Sequence, residues 1–354
     1  MARENGFMPI SQAVQETPMA LVANGRFHTG FFRTPFRTVN PLDADQMGGK
    51  LGRPLRWLRL KEWVGFGFDH PRLYGAMIIQ DAKYAGSGTV YLYDRVTRRK
   101  YEWLVVGLPG QVRLPENLWH GVSHCSLGGN VLHFDHDLTA GRHTVHVRIA
   151  ATGDTPALSV DFVLHQDTRV VDPLVVSLPI GASHHTYTHK SPLRLAGTLR
   201  IGDEAFDYQP ERDLGSLDEQ KTFYPYRSHW HWGSFIGLST AGREVMLNVV
   251  DQMTPKDQPG EDALWVDGKL MLLDPPQFIA DGAPGTYRLA DAAGHMRLRF
   301  VADGAKTEVR NWGLVAIDYA QFYGRYTGDI VDPAGVQHGV DGIYGVIEIM
   351  RARF

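Results

Sequence analysis

A single cysteine, Cys125, stands among 354 residues, so no internal disulfide can form and the fold must be held by its core, as in a reducing compartment. Long apolar runs are also missing. No segment approaches the ~20 apolar residues of a membrane span, and the opening MARENGFMPISQAVQETPMAL has no continuous apolar stretch of signal-peptide length. The expectation is a soluble, cytoplasmic protein. Excess charge of one sign is absent too: a formal net charge of -3 gives no overall footprint for nucleic acid or an anionic membrane. GxxxxGK[ST], a GxGxxG opening a helix and GxSxG do not occur, which removes the usual phosphate-binding, dinucleotide-binding and nucleophile-elbow signatures. Cys125 lies in Ser123-His124-Cys125-Ser126, where a strand points its neighbouring histidine to the other face, a poor arrangement for a thiol nucleophile.

Alternation with period two dominates what is present. Val145, Val147 and Ile149 alternate with Thr144, His146 and Arg148, and Leu158, Val160, Phe162 and Leu164 repeat the pattern, as half-buried antiparallel strands do. Similar runs occur at Thr89–Tyr93, Glu244–Val249, His295–Val301 and Gly345–Phe354. Turn signals separate them: Gly86-Ser87-Gly88, Ala140-Gly141, Ala241-Gly242, Asp303-Gly304, and Asp267-Gly268 as a tight hairpin with positive φ. Long amphipathic helical patterns are missing, and 38 glycines with 20 prolines suit many short strands. The reading is an all-β chain of antiparallel barrels or sandwiches. Its length predicts two domains, divided near the polar stretch 181–185 into residues 1–190 and 191–354. The first ~50 residues carry little periodicity and are expected to lie across the barrels as an extended arm.

One window concentrates the chemistry. Residues 218–233, DEQKTFYPYRSHWHWG, hold two acids, two tyrosines, an arginine, two histidines and two tryptophans. On a strand Trp230 and Trp232 share one face, and Arg227 shares the other with His229 and His231. Asp218 or Glu219 at the mouth of an apolar pocket could have its pKa raised and serve as a general acid. Lys190 could polarise a carbonyl or pair with such an acid, and Arg227 could clamp a carboxylate or close an ion pair. The 16 histidines cluster at His133/His136, His184/His185/His189 and His229/His231, each able to donate metal ligands, although no full metal signature is formed.

Several phrases recur together: Gly25-Arg26, Arg33-Thr34-Pro35, Asn40, Lys61-Glu62-Trp63, Tyr187-Thr188-x-Lys190, Tyr224-Pro225-Tyr226-Arg227-x-x-Trp230-x-Trp232-Gly233, and Glu261 before Val266-Asp267-Gly268. Over nearly its whole length the chain resembles a bacterial family catalogued as a domain of unknown function, DUF2804. Through Thr186-Tyr187-Thr188-His189-Lys190, Leu195-Ala196-Gly197-Thr198-Leu199 and the acids followed by Trp-x-Trp-Gly, it is distantly similar to the carotenoid 1,2-hydratase, tocopherol cyclase and lipocalin-like Diels–Alderase group. The resemblance implies two lipocalin-like, calycin-like β-barrels with a pocket at or near their interface. One departure stands out: Gln220 occupies the place where the hydratases carry a tryptophan directly after the acids.

The leading expectation is therefore a lyase or isomerase of hydratase or cyclase type, needing no cofactor and no metal, that acts by acid catalysis on a hydrophobic unsaturated small molecule such as an isoprenoid or polyketide. Asp218 or Glu219 would donate the proton. Tyr187, Lys190, Tyr226, Arg227, Trp230, Trp232, Asn248 and Glu261 would bind substrate, the indoles stabilising positive charge through their π faces. A non-catalytic carrier of a lipid-like ligand is the alternative, and a metal-assisted carbohydrate hydrolase or lyase a further one.

Overall fold

The computed structural model describes residues 12–45, 52–107, 110–181, 183–254 and 258–353. They form a nearly closed antiparallel barrel and a half-barrel, the lipocalin-like all-β architecture expected. The alternating residues do what their pattern requires. In the strand Arg142–Ile149, Val145 and Val147 are fully buried while His146 and Arg148 face solvent. Asp267 and Gly268 both take positive φ, 46° and 75°, between the paired strands Ala263–Val266 and Lys269–Leu272.

The barrel belongs to a fifteen-stranded sheet. Cys125, on the strand Gly121–Leu127, reaches the carbonyl of Val105 on the strand Arg99–Gly107 at 3.6 Å, bringing distant strands of the sheet's order together and nearly closing the circle. Phe66, Phe68, Phe134, Phe162 and their aliphatic neighbours fill the interior. Each such side chain contributes about 1.5–3 kcal/mol by leaving water. Close packing also dictates Gly197, whose φ of 131° sets an added Cβ 2.0 Å from the carbonyl oxygen of Asp161 on the paired strand. The half-barrel is a nine-stranded sheet around Phe235, Leu247, Phe300, Tyr326 and Ile347.

Residue 190, where the sequence reading divides the chain, lies inside one unbroken strand, His184–Ile201. The strands Glu204–Tyr208 and Leu214–Phe223 also remain in the first sheet, and the chain enters the second only at Arg227. Sheet membership thus changes across 224–226. The polar stretch around 181–185 marks a hairpin instead, because the strand Leu174–Gly181 turns back and pairs with the one that follows.

The first eleven residues of the expected arm lie outside the described residues. Its last five, 46–50, lie outside them too; over residues 12–45 the arm is largely extended, adding the short strand Gly30–Phe32 to Leu174–Gly181 and sinking Leu21, Phe31 and Phe36 into the core. The two sheets meet through tyrosines: Tyr74 lies 5.0 Å from Tyr344, and Tyr93 4.8 Å from Tyr323, measured between ring centroids.

Candidate active site

Strand register decides which acids meet which partners. Lys190 pairs with Asp218 across the strands His184–Ile201 and Leu214–Phe223, and His189 pairs with Glu219 on the next rung. Successive side chains leave a strand on opposite faces, so Asp218 and Glu219 part company. Asp218 turns outward toward the second sheet, where its Oδ1 accepts a hydrogen bond from Lys190 Nζ at 2.9 Å. Glu261 Oε2 stands 3.7 Å from the same nitrogen, which also lies 5.2 Å from the Trp232 ring.

The tryptophans share a face, as their spacing predicts, and each is anchored through its indole N–H. Trp232 Nε1 donates to Asn248 Oδ1 at 2.7 Å, and Asn248 Nδ2 donates to the backbone carbonyl of Glu261 at 2.6 Å. Trp230 Nε1 donates to Glu348 Oε1 at 2.9 Å, and Gln321 Nε2 to Glu348 Oε2 at 3.1 Å. Tyr224 stacks on Trp230 and Trp63, its hydroxyl accepting from Gln220 Nε2 at 3.0 Å. Asp218, Trp63, Trp232, Glu348 and Met350 are each partly exposed and mark the seam between barrel and half-barrel as the candidate cleft. Beside Glu261 a void of about 10 Å³, bounded by Thr186, Val250, Met253 and Thr254, has room for about one water.

One cation thus meets two carboxyl groups, Asp218 and Glu261, and Glu348 acts on it only from further away. Burial alone would lower the Lys190 pKa, but Asp218 and Glu261 outweigh it and hold the ammonium above its ordinary value. Burial pushes the Glu261 carboxyl up despite Lys190, and Asp218 adds to the push. Burial likewise raises Glu348, against the hydrogen bonds from Trp230, Tyr319 and Gln321. Gln321 Oε1 is buried without a partner. Turning that amide over would let its oxygen accept a hydrogen bond from Glu348 in its protonated form. The cleft combines two carboxyl groups whose pKa burial raises, the hydrogen-bonded Lys190–Asp218 pair and an indole wall.

Glu219 lies on the other side of the strand, inside the barrel and away from the tryptophans. It closes a buried chain: Ser123 Oγ to His136 Nε2 at 2.8 Å, His136 Nδ1 to His143 Nδ1 at 2.9 Å, His143 Nε2 to Gln166 Oε1 at 2.9 Å, Gln166 Nε2 to His189 Nε2 at 3.0 Å, and His189 Nδ1 to Glu219 Oε2 at 3.2 Å. One set of neutral tautomers satisfies every link, each group donating toward Glu219. Burial drives His136 well below the ordinary histidine range and His143 to about 4, in keeping with neutral rings.

Three further expected residues fall outside the cleft. Tyr187 is on the Glu219 side of its strand, packed edge-on against Phe36. Tyr226 is exposed and donates to the carbonyl of Leu314, and Arg227 points to solvent. The histidine groups disperse. His136 turns into the barrel, whereas His133 meets Asp135 nearer the surface; His185 bonds Ser177 and stacks on Phe27; His229 and His231 lie ring to ring at 5.1 Å. Among the described residues no three His, Cys, Asp or Glu side chains group as metal ligands.

The site residues missing from the sequence reading are Glu348, Gln321, Trp63 and Tyr224. Glu348 had a signal, an acid inside the alternating run 345–354; Trp63 and Tyr224 sat within recurrent phrases without an assigned role. Gln321 had none, because only the pairing of the last two long strands sets it opposite Glu348.

The model of the family described as "Domain of unknown function (DUF2804)" matches residues 11–354. No curated protein matches in sequence. Similar solved structures include NE1406, a protein of Nitrosomonas europaea carrying the AttH name (TM-score 0.52, 14% identity, covering 82% of this chain and 92% of that one). CghA with Sch210972 (0.53, 12%, 83% and 88%) and kievitone hydratase of Nectria haematococca (0.51, 12%, 82% and 88%) are similar to the same degree. At such identities the likeness is one of fold.

Proposed function

Because this chain belongs to the DUF2804 family and shares its fold with structures named for CghA and a hydratase, we propose that it is a lyase or isomerase of hydratase or cyclase type, acting on a hydrophobic unsaturated small molecule in the cleft. The observation that carries the reading is Lys190, buried beneath Trp232 and facing the carboxyl groups of Asp218 and Glu261, with Glu348 hydrogen-bonded to the neighbouring Trp230.

In this reading Glu348, whose carboxyl pKa burial raises, gives a proton to a carbon–carbon double bond. Positive charge grows on the second carbon against the faces of Trp230, Trp232 and Trp63. Asp218, hydrogen-bonded by Lys190, then accepts a proton. If it comes from a water attacking the cation, the net result is hydration; if it comes from a carbon beside the cation, the double bond moves; if a second double bond of the substrate first attacks the cation, a ring closes and the proton leaves from a carbon beside the new cation. Glu261 and Asn248 fix Lys190 and Trp232. An isoprenoid or polyketide would suit the apolar walls. A lipid carrier would have to use this same cleft, because side chains fill the barrel interior.

The test begins with native mass spectrometry to identify a co-purified ligand, followed by incubation of that compound or unsaturated isoprenoids and polyketides in deuterated water. Deuterium on carbon, with or without added water mass, is the expected signature. Asp218→Asn and Glu348→Gln should each reduce it by ~10²–10⁴-fold with ligand affinity little changed. Tight binding without any deuterium uptake would return the protein to the carrier reading. Undiminished turnover in both variants would refute the assigned acids.

A further inference from the structure

The overall charge of -3 conceals a local concentration of the opposite sign. The helix Arg53–Arg59 has no buried residue, and Leu55, Trp57 and Leu58 are 48%, 40% and 42% exposed. Far along the chain, the hairpin joining the strands Met296–Asn311 and Ala316–Val331 carries Trp312 and Leu314, 65% and 79% exposed. Apolar side chains scattered singly over a surface need no explanation, but these converge. Arg59 Nη2 donates to the carbonyl of Tyr224 at 3.0 Å, and Tyr226 donates to the carbonyl of Leu314 at 2.8 Å. Helix and hairpin are therefore tied to either end of one three-residue connection.

Arginines surround both elements. Arg53, Arg310 and Arg351 meet Asp43, Glu308 and Asp318. Arg56, Arg59, Arg227 and Arg353 have no carboxylate partner among the described residues, and Arg353 instead braces the hairpin tip through Asn311 Oδ1 and the carbonyl of Gly313. Exposed tryptophans and leucines amid uncompensated arginines match the two layers of a bilayer surface, acyl chains below and anionic headgroups above.

We propose that the helix Arg53–Arg59 and the hairpin tip at Trp312 and Leu314 together form a docking surface for an anionic lipid bilayer. Tyr224, between them, stacks on Trp63 and Trp230, so docking brings the edge of the cleft to the lipid. That consequence for substrate supply rests on the proposed function; the docking does not, and its test involves no turnover.

The full chain is floated with phosphatidylcholine vesicles and with vesicles in which about a third of the lipid is phosphatidylglycerol. Binding to the anionic vesicles alone, weakened by salt, is expected. Arg227→Glu changes two unit charges, each worth about fivefold near such a surface, and should weaken binding roughly 25-fold. Trp312→Ser with Leu314→Ser should abolish it. Both tip residues are exposed, so the double variant should keep the wild-type urea-unfolding midpoint. Failure of the wild type to float, or equal flotation of wild type and variants, overturns the proposal. So does a wild-type dimer that the double variant converts to monomer without vesicle binding, since the surface would then receive a second copy of this chain.

Discussion

Replacing Lys190 by methionine keeps the length of the side chain and removes its charge. The ammonium is 2.9 Å from Asp218 and 3.7 Å from Glu261, with almost no water access. Removing one member of a buried ion pair typically costs about 3–5 kcal/mol, because the remaining charge is left desolvated. The cost must depend on pH, with a definite sign. Glu261 already holds its proton more tightly folded than unfolded, since burial outweighs the lysine. Without Lys190 that gap widens. A native state that retains a proton the unfolded chain has released loses stability as pH rises above the unfolded carboxylate's value. Each further unit of gap adds about 1.4 kcal/mol. Lys190→Met should therefore destabilise the protein more at about pH 8 than at about pH 5, which lies nearer the range in which Glu261 takes up its proton. Urea unfolding of both proteins at the two values measures the difference. A destabilisation that is the same at both, or larger in acid, would mean that Lys190 does not compensate these carboxylates and would remove the electrostatic basis of the site.

Glu219→Gln should leave turnover well short of the ~10²-fold loss expected for an acid–base group, while Asp218→Asn does not, because only Asp218 faces the cleft; equal losses would contradict the assignment by strand face. The same Glu219→Gln exchange, at the end of a buried chain, should cost about 1–3 kcal/mol in urea unfolding. Gly197→Ala should cost more than ~3 kcal/mol or prevent folding, since its Cβ would meet the Asp161 carbonyl at 2.0 Å; near-wild-type stability would mean that the paired strands can separate there.

The legible part of this protein was periodic. Val145, Val147 and Ile149 announced a strand because every second position must be apolar when one face is buried, and Asp267-Gly268 announced a hairpin because few other pairs accept two positive φ angles. The tryptophan pair was singled out by a dense window of rare residue types, and Lys190 by the separate phrase 187–190. Tyr226 belonged to the same window, yet it falls on the connection before the strand, where strand parity has no force, and Arg227 opens the strand at its exposed end.

The sequence by itself determined an all-β chain, a shared face for Trp230 and Trp232, and a set of acids near enough in number and type to suggest proton chemistry. Only the tertiary structure decided which acids can act together. Cross-strand register sends Asp218 to Lys190 and Glu219 to His189. The docking of the second sheet brings Glu261 to that lysine from 71 residues further along the chain, and the pairing of the last strand brings Glu348 to Trp230. Periodicity reports what a residue does within its own strand; the partner it meets is set by pairing and packing over long separations, which no local pattern encodes.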